Sequence, residues 1–250
     1  AWMVEPGNRH SEPAGISAKD LLTQADTACY VAKESGRNRV HFYSERDDQT
    51  VRRRSEMEWA NRLRWAVDEH RLQLTYQEVW PLPLGDGAEP GIEMLLRFRE
   101  ESGQLVVPGV FLPAAERYGL MPSVDRWVIE TTLANFERLH PAGNRLDMVA
   151  INLSGASIED PALVDRIIEL LQRYRVEPSR VCFEITETVA VRNLSQVVRC
   201  MALLRSAGCR IALDDFGAGM SSFTYLKNLP LDIIKIDGSF VRDMLTDPVS

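Results

Sequence analysis

The chain has 250 residues, 45% of them hydrophobic and 26% charged, a globular composition with length enough for one large core or one large domain plus a small piece. A formal charge of -7 disfavours nonspecific binding along nucleic-acid phosphates, so no nucleic acid is expected as a partner. The four cysteines, Cys29, Cys182, Cys200 and Cys209, form no C-x-x-C pair, and no apolar stretch is long enough to span a membrane. Zinc fingers and thioredoxin-type chemistry therefore find no support, and a reducing, cytoplasmic compartment is the expectation.

In chain order, residues 18–32 predict a helix whose apolar stripe is Leu21, Leu22, Ala25, Ala28, Cys29 and Ala32, ended by Gly36. A short strand follows over 39–43. Residues 44–55 are polar and charge-dense, and read as a linker or an exposed helix start. Helical spacing then carries Trp59, Leu63, Ala66 and Val67 on one face, which is expected to be buried. From there, strand-like runs at 72–77, 92–98, 148–153, 180–185, 210–213 and 231–236 alternate with helical patterns at 124–139, 161–174 and 194–207. Such alternation implies parallel strands joined by crossovers.

Several of these runs finish on an oxygen ligand or a charge. Val149-Ala150-Ile151 runs into Asn152, Val181-Cys182-Phe183 into Glu184, Ile211-Ala212-Leu213 into Asp214-Asp215, and Ile233-Ile234 into Lys235-Ile236-Asp237. A barrel of parallel strands gathers such endings on one rim, where these folds keep their chemistry. Asn, Glu, two Asp and a Lys on one rim read as a site for a hard metal ion. Each residue also has a plainer reading. Paired acids are common in turns, Asn and Ser ordinarily make turns, and Lys235 with Asp237 could form a simple ion pair on one strand face. Taken jointly, and in barrel order, the plain readings are the weaker. His10, His41, His70 and His140 are isolated in sequence and are expected at the surface.

Glu93-Met94-Leu95-Leu96-Arg97-Phe98 resembles the signature of EAL domains, with Met in place of the middle Ala. Tyr76-Gln77, Asn152-Leu153-Ser154, Phe183-Glu184-Ile185-Thr186-Glu187, Asp214-Asp215-Phe216-Gly217-Ala218-Gly219 and Lys235-Ile236-Asp237 follow in family order. Residues 25–33 with Gly36-Arg37-Asn38-Arg39 resemble the C-terminal end of a GGDEF domain. These resemblances imply a GGDEF remnant over 1–45, a linker over 46–57 and an EAL barrel over 58–250. The implied fold is α/β, a TIM-like (β/α)8 barrel whose first strand runs antiparallel, with about six of eight strands present. A start at Ala1 without an initiator Met and an end just past a helical start suggest a chain cut from something longer, before its last two strands. The 250-residue chain alone is accordingly expected to be a poor enzyme.

What the resemblance implies chemically is a phosphodiesterase opening cyclic di-GMP to linear pGpG in bacterial signalling. Glu93, Asn152, Glu184 and Asp214 would hold one divalent metal and Asp215 would reach a second. Lys235 would position or activate the attacking water, and Glu187 would pin the loop after Asp215. Gln77, Arg97 and Asp237 would contact substrate. Mg²⁺ or Mn²⁺ suits this all-oxygen ligand set, and two such cations clamp a phosphodiester and acidify a water. The implied partners are cyclic di-GMP, the upstream GGDEF domain and a second copy joined through the barrel. Glu78 stands where the family usually has Pro, and the segment 81–90 is richer in Gly and Pro than expected, which bears on substrate entry. The alternative is a cyclic di-GMP receptor or regulatory module without catalysis. Retention of every visible metal ligand favours the enzyme.

Overall fold

The computed structural model describes residues 21, 22, 25, 48–66, 69–82, 89–142, 145–217 and 225–242. The chain forms two compact units, Ala1–Trp59 and Ala60–Ser250. In the first, Leu21, Leu22 and Ala25 are helical as the apolar stripe predicts, while the expected strand at 39–43 lies outside the described residues. Helix α1 spans Asp48–Ala66, so the charge-dense segment that reads as a linker is helical from Asp48 onward. No helix among the described residues is long and apolar enough to cross a membrane.

The second unit is one sheet with helices. Strands β1 (Leu72–Val79), β2 (Gly91–Arg99), β4 (Met148–Asn152), β5 (Val181–Thr186), β6 (Arg210–Phe216) and β7 (Ile233–Ile236) lie side by side in that order. β1 runs antiparallel to β2, and every later step is parallel. This is the sequential winding of a TIM-like barrel with a reversed first strand. A two-residue strand, β3 (Leu105–Val106), pairs with the far end of β2 through a turn in which Gly103 takes φ 86°. Two residues are too few to show alternation, so the sequence carries no signal for this strand.

Helices α2 (Pro108–Arg117), α3 (Met121–Ala134), α4 (Gly155–Ile158), α5 (Leu163–Tyr174), α6 (Glu187–Arg192), α7 (Leu194–Ser206) and α8 (Gly238–Arg242) complete the unit. The helical stretch expected over 124–139 begins earlier and is interrupted: α3 stops at Ala134 and a 3₁₀ turn covers Phe136–Arg138. α2 carries Pro113 in its interior, which argues against a helix on propensity, yet Pro108 starts it and Phe111, Ala114 and Ala115 are buried. Tertiary burial overrides the local cost there.

The sheet residues alternate cleanly. Val149, Ile151, Phe183, Ile185, Ile211 and Leu213 are fully buried on one face. On the other face Met148, Ala150, Cys182 and Ala212 form a tight apolar cluster joined by Ile233. α1 is tied to β2 by Arg62, whose guanidinium lies 4.6 Å over the Phe98 ring and bonds Glu100 at 3.0 Å. Trp59, Leu63 and Ala66 are buried, as the helical face predicts, and Val67 lies outside the described residues.

Leu63 is 5% exposed and Trp65, two residues on, is 62% exposed. Leu63→Ala should therefore cost about 2–5 kcal/mol by transfer and cavity terms, while Trp65→Ala should stay within about 0.5 kcal/mol. Urea midpoints of the two variants check this, and equal losses would contradict the placement of the helix face.

Candidate metal and phosphodiester site

The inward face of the sheet carries its polar groups two positions beyond its small ones. Gly91 precedes Glu93, Ala150 precedes Asn152, Cys182 precedes Glu184, Ala212 precedes Asp214 and Ile233 precedes Lys235. A spacing of two keeps each pair on one side of its strand. The apolar cluster of Met148, Ala150, Cys182, Ala212 and Ile233 thus floors a layer made of Glu93, Asn152, Glu184, Asp214 and Lys235. β2 is the exception to strand-end placement. It pairs with β4 only over 91–94 and continues to Arg99, so Glu93 is its third residue.

Lys235 Nζ bonds three carboxylates at once: Glu184 Oε2 at 2.6 Å, Glu93 Oε2 at 2.9 Å and Asp214 Oδ2 at 3.1 Å. Asn152 Nδ2 donates to Glu93 Oε1 at 2.9 Å, joining the fourth strand to the cluster. Oxygen atoms of Glu93, Glu184 and Asp214 lie within 4.8 Å of one another, a set that could hold a metal ion. Glu184 is 2% exposed. Burial pushes its carboxyl up to about 7, with Lys235 working against the rise and the neighbouring carboxylates adding to it. That raised value contributes stability fully present below pH 4.5 and lost as pH climbs through about 7. For Lys235, burial favours the neutral amine, but Glu184 and Glu93 outweigh it and hold the ammonium well above its ordinary range.

Strict alternation would send Asp214 and Asp215 to opposite faces. The structure avoids this with a bulge: Leu213 faces Ile234 and Phe216 faces Ile236, leaving one residue too many on β6. Asp215 absorbs it at φ 53°, a left-handed conformation Asp tolerates better than most residues. Its carboxyl is raised by burial first, then by Asp214 and Asp237. Both acids therefore belong to the same charged neighbourhood.

Glu187 opens α6, where its buried carboxylate takes the Gly217 N–H at 2.9 Å on Oε2 and the Tyr225 hydroxyl at 2.6 Å on Oε1. Gly217 sits at φ 98°, a conformation that favours glycine, and a Cβ there would lie 2.6 Å from the Phe240 ring, which would have to shift. Burial and the bond to Glu187 hold the Tyr225 hydroxyl above its ordinary range. Gln77 lies directly across from Glu93 in the antiparallel register, on the same face. Arg97 shares that face four residues further along β2, with Nη1 donating to Leu96 O at 2.8 Å. Asp237 is not paired with Lys235. It lies beyond β7, accepts the Ser239 N–H at 2.7 Å, and is lowered by that bond.

Two supporting groups escaped the sequence reading. Asp125 on α3 is 4% exposed and accepts from Ser157 Oγ at 2.6 Å and the Ser154 N–H at 2.9 Å, fixing the turn that follows Asn152. Burial raises its carboxyl against those two bonds. An Asp within the apolar stripe of Met121, Val124, Val128 and Ile129 was the available signal. Tyr225 gave none, since its partner is 38 residues away. One reading is corrected: His140 is not a free surface residue, because its side chain is only 9% exposed and bonds Glu78 at 2.8 Å.

The profile of the EAL domain matches residues 60–250. Over 229 residues the chain is 38% identical to the cyclic di-GMP phosphodiesterase PdeB of Shewanella oneidensis, covering 92% of this chain and 26% of that protein. It is 34% identical over 234 residues to the bifunctional diguanylate cyclase/cyclic di-GMP phosphodiesterase MucR of Pseudomonas aeruginosa, covering 93% and 33%. The chain thus spans about a quarter to a third of the length of these curated relatives. Among solved structures, the FimX EAL domain from Pseudomonas aeruginosa bound to c-di-GMP superposes with a TM-score of 0.68 at 31% identity, over 76% of this chain and 75% of that one. The PaMucR phosphodiesterase in its c-di-GMP complex gives 0.66 at 33% identity, over 76% of each. The strand order, the charged layer and these similarities agree: the chain belongs to the EAL domain family.

Proposed function

We propose that this chain is a metal-dependent phosphodiesterase that hydrolyses cyclic di-GMP to linear pGpG. The observation that carries the reading is the convergence of Glu93, Glu184 and Asp214 on the Lys235 ammonium, with Asn152 bonded to Glu93, in one layer of strand positions. An ammonium marks a point where the layer favours positive charge, and donors that are all oxygen suit Mg²⁺ or Mn²⁺. The metal would be held by Glu93, Asn152, Glu184 and Asp214, with Asp215 reaching a second ion. Such ions supply polarisation of the phosphodiester and acidification of the attacking water.

The chain's own groups do the rest. Lys235 Nζ gives its three N–H donors to the carboxylates here, and a metal taking over those oxygens would release donors to orient the water that adds to phosphorus as the ester bond to a 3′ oxygen breaks. Gln77 and Arg97, on the same face as Glu93, reach the nucleotide, and a guanidinium matches phosphate oxygens in charge and shape. Glu187 joins Gly217 to Tyr225 and so holds both ends of the segment that follows Asp215. The two activities in the name of MucR, diguanylate cyclase and cyclic di-GMP phosphodiesterase, support reading 1–45 as the end of an upstream GGDEF domain. The direct test is turnover of cyclic di-GMP by the full-length protein with Mg²⁺ or Mn²⁺, and again with chelator. Binding without turnover under every metal condition would leave a receptor instead.

Three variants probe the assignments. Asp214→Asn relieves repulsion among carboxylates that share one ammonium, so its melting temperature in chelator should not fall below wild type. It should lose the metal-induced gain, which for wild type is about 2.7 kcal/mol at about a hundred times Kd. A normal metal-induced shift in this variant, read by thermal denaturation, would remove Asp214 from the ligand set. Tyr225→Phe deletes one hydrogen bond to a carboxylate and should slow turnover about tenfold, leaving metal affinity unchanged. Glu187→Ala releases both anchors and should slow it further. Steady-state kinetics beside metal calorimetry separates the two effects.

A further inference from the structure

The last four residues of β1, Tyr76 to Val79, are exposed. Gln77 belongs to this stretch, directly across from Glu93. Alternation sends Tyr76 and Glu78 to the face opposite Gln77. Both of them meet one side chain, His140. Its ring meets the Tyr76 ring edge-on, with centroids 5.0 Å apart and planes at 77°. Its Nε2 lies 2.8 Å from Glu78 Oε1, and Trp80 Nε1 donates to Glu78 Oε2 at 2.9 Å, so both oxygens of that carboxylate are engaged.

The imidazole is itself fixed. Its Nδ1 accepts the Ala142 N–H at 3.0 Å, which puts the ring proton on Nε2 and makes His140 the donor to Glu78. The turn bearing it follows the 3₁₀ segment Phe136–Arg138, where Phe136 is buried under the Arg180 guanidinium at 4.9 Å. Both neighbours of Gln77 are thereby tied to a turn that belongs to neither strand of the β1–β2 hairpin.

We propose that His140 is a positioning residue: by holding Tyr76 and Glu78 on the outer face, it fixes the direction in which Gln77 presents its amide beside Glu93 to the nucleotide. This rests on reading the site as one for a cyclic dinucleotide. A purely structural staple would lower stability and leave the nucleotide unaffected. A positioning residue must instead act through Gln77.

The test is the affinity of the full-length protein for cyclic di-GMP, measured by calorimetry in chelator so that binding is read without turnover, with KM and kcat measured separately in Mg²⁺. Losing a hydrogen bond to a carboxylate, His140→Ala should weaken binding and raise KM about tenfold, with kcat within about twofold of wild type. Gln77→Ala should do the same, and the double variant should be no worse than Gln77→Ala alone, because both changes remove one interaction. His140→Gln, whose amide can donate to Glu78, should recover part of the loss. Glu78→Ala removes the same bond from the other side and guards against misfolding of His140→Ala. Unchanged affinity in His140→Ala and Glu78→Ala, or effects of His140→Ala and Gln77→Ala that multiply, would overturn the inference. Wild-type protein that binds without hydrolysing would sink the phosphodiesterase reading while leaving the affinity test of His140 intact. Wild-type protein that does not bind would overturn both.

Discussion

Everything in the candidate site depends on one ammonium holding three carboxylates. Burying ionised groups is expensive unless opposite charge and hydrogen bonds compensate them. Lys235 reaches Glu93, Glu184 and Asp214 from a strand at the far end of the row, which requires β2, β5, β6 and β7 to be staggered as they are. The floor matters equally. Ala150, Cys182 and Ala212 are small, so the long side chains of the next layer can converge above them.

The structure compensates its buried carboxylates in three ways. Glu184 is met by a charge, Glu187 by a backbone N–H and a phenol, and Asp125 by a backbone N–H and a serine hydroxyl. The difference follows from what each holds. Neutral donors fix backbone: Glu187 sets the start of the segment after Asp215, and Asp125 sets the turn after Asn152. A charge partner fixes a carboxylate layer and leaves it suited to a cation. The supports thus keep the neighbouring ligands in place without adding charge to the layer.

Much of this was legible in the sequence. The six longer strands were visible because apolar runs bounded by polar groups carry a strong signal, and the endings of those runs already placed Asn152, Glu184, Asp214 and Lys235 on one rim. What was hidden depended on partners distant in sequence. Pro113 masked α2 because local propensity argued against the buried face of Phe111 and Ala115. The bulge at Asp214-Asp215 exists only against β7, so alternation alone could not orient the pair. Glu187 was expected to pin the loop after Asp215 through the resemblance alone, and its helix position with Gly217 and Tyr225 needed the fold to appear. His140 read as a surface residue since nothing adjacent to it announces Glu78, 62 residues earlier.

The reversed first strand explains how a flat layer of ligands acquires a wall. Parallel strands end together at a rim, so none of them can place a side chain above it. β2 escapes this limit because β1, running antiparallel, keeps it paired for its whole length while β4 covers only 91–94. The overhang carries Arg97 past Glu93 on the same face, and β1 brings Gln77 back beside it. One hairpin therefore contributes both a ligand to the layer and two side chains for whatever rests on it. On β1 the neighbours of Gln77 are Tyr76 and Glu78, and an imidazole bonded to its own backbone turn meets both of them. A strand that presents one side chain inward for recognition is steadied by fixed points on its outer face.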